Sequence, residues 1–108
     1  MTEYLHRLFT ENYDLESNHK YEIPFYSSKS WICYINPIKN DTVELDFTRG
    51  IELVHQADVL NFKGRKQVKG FDLKGLDYQQ LELVGMVLQD AIILDHKVPY
   101  KSKRKKNN

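Results

Sequence analysis

A single cysteine, Cys33, occurs in the 108 residues, so no disulfide can form within the chain, and one thiol without neighbouring ligands makes no structural zinc site. A reducing, cytoplasmic setting is the expectation. Long apolar runs are also missing. The longest stretch, residues 83–94, is broken by Gln89 and Asp90 and falls far short of the roughly 20 residues a membrane-spanning helix needs. No membrane partner is expected. Residues 1–10 interleave Glu3, His6 and Arg7 with the apolar positions, unlike the charged-then-apolar opening of a secretory signal. The familiar catalytic signatures fail in turn: no glycine-rich phosphate loop, no Gly-x-Ser-x-Gly elbow, no His-Glu-x-x-His and no Cys-x-x-Cys. An enzyme is therefore not the expectation, although a shallow site of dispersed residues would escape such a scan.

What is present is enough for one core. Hydrophobic residues make up 41% of the chain and aromatics 12%, and a domain of this size buries roughly 60–70% of the surface its unfolded chain exposes. The net charge of +1 hides an asymmetry. Lys101, Lys103, Arg104, Lys105 and Lys106 supply five cations, and without them residues 1–100 stand at −4. We expect a single domain over residues 1–100 and a disordered basic tail over residues 101–108, whose role is solubility or contact with nucleic acid or an acidic partner.

Periodicity predicts the elements. Leu5, Leu8 and Phe9 follow helical spacing behind Thr2 as N-cap, giving a short helix over residues 3–13. Residues 21–26 read as extended, with Pro24 restricting them to an edge strand or a strand start. The strongest strand signal puts Trp31, Cys33 and Ile35 on one face and Ile32 and Tyr34 on the other. A turn at Pro37, Asn40 and Asp41 follows, then the strictly alternating Val43, Leu45 and Phe47. Gly50 ends or bends that strand, and residues 51–54 can continue it. Residues 57–62 suit a helical turn or packed loop. A further strand over residues 66–73 places Phe71 and Leu73 together, with Gly70 as a candidate bulge. The closing helix is the best signalled. Asp77 caps it, Gln80 can reach back, Leu76 can staple to Leu81, and Leu81, Val84, Leu88, Ala91 and Ile92 form its stripe, widened by Leu83, Val87 and Leu94. Pro99 ends it. The fold class is α+β: a two-layer sandwich with an antiparallel sheet of about 4–6 strands packed against N- and C-terminal helices.

Several short motifs in order, the run from Tyr21 to Tyr26 (Tyr-Glu-Ile-Pro-Phe-Tyr), the run from Trp31 to Pro37, Val43 to Gly50, Gly64 to Lys69 and Ala91 to Asp95, resemble the YdhG-like family. The resemblance covers residues 20–95. It implies an α/β sandwich and little chemistry, the family being largely of unknown function. One member resembles frataxins and is described as an intracellular iron chaperone. Acidic residues on the first helix would then hold iron, although members usually carry a longer first helix and only about 20 residues precede the Ile-Pro-Phe-Tyr motif here.

Two groups of candidate residues follow, with Cys33 and the remaining histidines beside them. Glu3, His6, Glu11 and Asp14, with Glu16, supply the hard, exchangeable ligands that delivery of iron to an iron-accepting protein requires; an ordinary solvated acidic face is the competing reading. Arg49, Lys63, Arg65 and Lys66 lie in or beside loops bounded by Gly50 and Gly64 and can converge on an anion, with Trp31 and Tyr34 stacking beside them. The competing reading pairs Arg49 with Glu44 or Asp46 and places Trp31 in the core. Cys33, mid-strand, reads as a small buried hydrophobe. His19, His55 and His96 read as surface residues, His96 favouring the negative end of the last helix. The expected function is a small intracellular binding or carrier domain, iron chaperoning being its most concrete form. The alternatives are an interaction module for nucleic acid or an acidic protein, and an enzyme of unrecognised type. The expected state is a monomer or weak dimer.

Overall fold

A computed structural model describes residues 2–39, 42–56, 58–75 and 77–99. The turn at Asn40 and Asp41, the staple at Leu76 and the basic tail lie outside the described residues.

The chain forms a five-stranded antiparallel meander covered on one face by two helices, the α+β sandwich that its periodicity predicts. Strand order follows chain order: β1 (Glu16–Lys20), β2 (Ile23–Ser27), β3 (Trp31–Lys39), β4 (Thr42–Phe47) and β5 (Lys69–Leu73). Helix α1 (Thr2–Arg7) continues into a π-helical turn, Leu8–Asn12, and α2 spans Tyr78–Lys97.

The inner face collects Tyr26, Cys33, Ile35, Val43, Leu45, Phe47, Phe71 and Leu73, which the register aligns across β2 to β5. Leu5 and Phe9 from the first helix and Val84, Val87, Leu88 and Ala91 from α2 close over it in one continuous core. Phe9 meets Tyr26 edge-on at 5.0 Å between ring centroids. Full burial of a side chain of this size is worth about 1.5–3 kcal/mol, so these aromatic and aliphatic contacts hold the two layers together.

Helix α2 starts where its cap signal puts it: Asp77 accepts a hydrogen bond from the Gln80 amide at 2.8 Å. The reciprocal half is not made, because the Gln80 side-chain oxygen is buried without a partner. Helix α1 begins at Thr2 itself, so Thr2 is a helical residue and not the cap.

Strand β1 escapes prediction, since Glu-Ser-Asn-His-Lys has no apolar alternation and every residue of it is exposed. It pairs with β2 across a two-residue turn in which Tyr21 (φ 54°) and Glu22 (φ 62°) are both left-handed. Pro24 therefore lies in an interior strand, as its second residue, and not at the sheet edge. The β2–β3 pairing starts only at Phe25, so the amide that Pro24 lacks faces no ladder partner.

The 51–54 segment does not continue β4. It forms short 3-10 turns, Gly50–Glu52 and Val54–Gln56, that lead the chain back towards β5. Gly70 is not a bulge either, since β4 and β5 pair in unbroken register through it. Its glycine is required for space: a Cβ there would stand 2.5 Å from the Leu45 carbonyl oxygen and collide with Asp46 Oδ1.

Candidate site on the helix-free sheet face

One extra residue decides what the outer face carries. The β2–β3 register steps from Tyr26↔Cys33 to Ser27↔Trp31, so Ile32 is an inserted position and the facing of β3 reverses there. Ile32 and Cys33 are both buried in the core, and Trp31 is turned outward, away from Cys33 and Ile35. This corrects the strict alternation expected of residues 31–35 and, with it, the core placement of Trp31.

Outside, Trp31 meets Phe25 edge-on with ring centroids 5.3 Å apart, and Phe25 stacks on Tyr34 at 4.7 Å. Lys20 reaches over the indole, its Nζ 5.2 Å from the ring centroid. The three rings are half-buried. Arg65 extends the row, its Nη1 lying 3.4 Å from the Tyr34 hydroxyl.

Beyond Tyr34 the same face carries a charged cluster. Glu44 and Asp46 sit two residues apart on β4 and so share a side, with Asp72 across from Glu44 on β5. The 62–66 loop folds over them. Arg65 Nη2 donates to Asp46 Oδ1 at 2.8 Å, and its Nη1 lies 3.4 Å from Glu44 Oε1. Lys63 Nζ bridges Glu44 at 2.8 Å and Asp72 at 2.5 Å. A left-handed Lys63 (φ 50°) followed by Gly64 (φ 83°) bends the loop back to make both contacts.

Asp46 is fully buried, and its Oδ2 finds no donor. Burial, followed by its hydrogen bond with Glu44, pushes the Asp46 carboxyl up to about 7 against the pull of Arg65. Burial opposes ionisation of Glu44 too, but its hydrogen bonds with Asp46 and Lys63 and the charges of Lys63 and Arg65 outweigh it and hold its pKa low. The pair thus shares one proton below neutral pH, held mainly by Asp46 until pH approaches 7. Burial also raises the Tyr34 hydroxyl.

Of the sequence-predicted ligand group, the structure brings Trp31 and Arg65 onto one face, joined through Phe25 and Tyr34. Lys66 follows in the same loop and is exposed. Arg49 does not join them. It is buried, its guanidinium holds Glu52 at 2.8 Å through Nε and Nη2, and its Nη1 donates to the Val98 carbonyl at 2.5 Å. The carboxylate it is seen to hold among the described residues is Glu52, three residues on, rather than Glu44 or Asp46. There it ties the end of α2 to the first 3-10 turn.

The iron candidates do not gather. Glu11 lies on the π-helical turn 4.0 Å from Arg7, and Asp14 follows it with φ 58°. Glu3 and His6 line an open groove with His19 and Pro24, but His6 Nδ1 is taken up by the Tyr26 hydroxyl at 2.9 Å. Among the described residues no group of three or more His, Cys, Asp or Glu is placed to hold a metal ion. Cys33 is buried in the core and its thiol is pushed far up by that burial.

Sequence reasoning also missed Asp95. It continues the α2 stripe one turn past Ala91, is almost completely buried, and accepts from the Lys29 and Ser30 amides at 2.7 and 3.1 Å and from the Ser30 hydroxyl. It anchors α2 to the β2–β3 turn. Beside it His96 Nε2 lies 3.0 Å from Ser28 Oγ, so His96 has a specific neighbour as well as the helix terminus. An acidic residue at the next apolar-stripe position was the available signal.

Fold and site together define a small two-layer α+β domain with an open sheet face that carries aromatic rings and a basic loop. No family model matches the chain, and neither a curated protein nor a solved structure does. The YdhG-like resemblance therefore stands on its short motifs alone. No helix among the described residues is long and apolar enough to cross a membrane.

Proposed function

We propose that this chain is a small binding domain that takes a single-stranded nucleic-acid segment on its helix-free sheet face. The supporting observation is the row Trp31–Phe25–Tyr34–Arg65, three half-buried rings running into a guanidinium. Bases stack on exposed aromatic faces with little sequence demand, and adjacent cations follow the phosphates. Retention of a proton on Asp46 favours this use. With Asp46 neutral, Lys20, Lys63 and Arg65 balance Glu16, Glu44 and Asp72 on that side and Lys66 in the same loop tips it positive, and the basic residues 101–106 can add long-range attraction. The buried thiol of Cys33 suits a reducing compartment, and we place the protein in the cytoplasm.

Trp31 is the sole tryptophan, so its fluorescence reports this face alone. Titration with short unstructured RNA and DNA oligonucleotides at low salt should quench it. Replacing Trp31 by Ala should weaken binding by about 5- to 150-fold, the span of one lost base-stacking contact. Affinity should fall as pH rises through 7 and Asp46 ionises. Binding that ignores Trp31→Ala and Arg65→Ala would assign nucleic-acid contact to the tail and sink the proposal.

The iron-carrier reading has a narrower footing, the open groove that Glu3, His6 and His19 line without converging on one point. An anaerobic ferrous titration followed by amide NMR tests it: selective broadening at His6 and His19 would restore it, and uniform spectra would remove it.

A further inference from the structure

Strand β1 is an open sheet edge with every residue exposed, and its sequence is antisymmetric in charge about Asn18. We propose that β1 pairs with β1 of a second copy, antiparallel and centred on Asn18, joining two five-stranded sheets into one.

Hydrogen-bond phase and charge order meet at the same register. The two-residue turn at Tyr21 and Glu22 makes Lys20↔Ile23 the hydrogen-bonded pair that closes the hairpin. Glu16, Asn18 and Lys20 then spend their backbone groups on β2, while Ser17 and His19 aim theirs outward. Pro24 fits this phase independently: it stands opposite His19, at a position whose amide would point away from β1. An antiparallel copy centred on Asn18 sets Ser17 opposite the second copy's His19, and the reverse, giving four backbone hydrogen bonds about a two-fold axis.

The same register sets Glu16 opposite Lys20 of the other copy, twice. These are non-hydrogen-bonded pairs, where side chains approach most closely. A lysine on an edge usually deters pairing. Here the alternative registers leave Glu16 or Lys20 without an opposite charge, so the charges select one pairing. The edge is polar and five residues long, so the dimer belongs to the small, transient interface class.

Sedimentation velocity of the full chain from about 5 to 500 μM should show the weight-average mass climbing from monomer towards twice that value. Lys20→Glu puts two like-charged pairs in the interface and should raise the dissociation constant about tenfold or more; Glu16→Lys should do the same. The double variant Glu16→Lys/Lys20→Glu should recover it, which a folding defect would not. Ser17→Pro removes an outward amide and should abolish association while the circular dichroism spectrum is retained. Monomer at every concentration overturns the proposal, as does a dimer in which the double reversal fails to rescue or Ser17→Pro has no effect.

Discussion

Replacing Asp46 by Asn keeps the shape of the buried pair and removes its titration. In the native protein Asp46 holds its proton up to about pH 7, whereas in the unfolded chain it releases it near the usual aspartate value. Between those limits the native state binds more protons than the unfolded state, so this group's contribution to stability is fully present at low pH and is lost as pH rises towards 7. Glu44, held low, is ionised in both states above about pH 5.5 and adds no slope there. Each pH unit of that interval is worth about 1.4 kcal/mol, and partial titration near 7 trims the total, leaving about 2 kcal/mol lost between pH 5 and 7. In Asp46→Asn the side-chain amide would accept from Arg65 on its oxygen and donate to Glu44 from its nitrogen, so the variant retains both contacts without needing a proton. Urea unfolding of both proteins at pH 5, 6, 7 and 8 isolates the effect, because the four histidines contribute equally to each. The Asp46→Asn protein should gain on the native one by about 2 kcal/mol from pH 5 to pH 7, then run parallel above it. Stability curves that stay parallel from pH 5 to 7 would refute the shared proton.

Gly70→Ala should destabilise by about 1–3 kcal/mol, since the new methyl collides with Asp46 and the Leu45 carbonyl; a urea midpoint equal to that of the native chain would contradict this. Substituting Asn-Gly for Tyr21-Glu22 should raise stability by about 1–2 kcal/mol by relieving two left-handed non-glycine residues, read as a higher melting temperature. Asp95→Ala strands the amides that the carboxylate now accepts and should cost about 2–3 kcal/mol, with hydrogen exchange accelerating at Lys29 and Ser30 before the core. Native Cys33 should react with iodoacetamide only as fast as the core opens. Rapid labelling in the absence of denaturant would show the thiol is accessible.

Local pattern in the chain was sufficient for the fold class and most of the elements. Alternation in Val43, Leu45 and Phe47 names a half-buried strand, and the cap at Asp77 with the stripe through Val84, Leu88 and Ala91 names the covering helix, because both signals are local and set by backbone periodicity. Arg65 and Trp31 were legible as candidates from residue type alone. Where such residues point and whom they meet came from packing between elements distant in the chain. A single inserted residue, Ile32, turned Trp31 from core to surface, and nothing in its own segment signals that, since a bulge is defined only against the partner strand. Strand β1 has no apolar face and exists because β2 offers it a ladder. Arg49 and Arg65 look alike in the chain, yet one clasps Glu52 beneath the end of α2 and the other lies over Asp46. The proton on Asp46 is the clearest case: two carboxylates on one strand face titrate normally in water, and only burial opposite Gly70, under Arg65 and beside an ionised Glu44, pushes them apart.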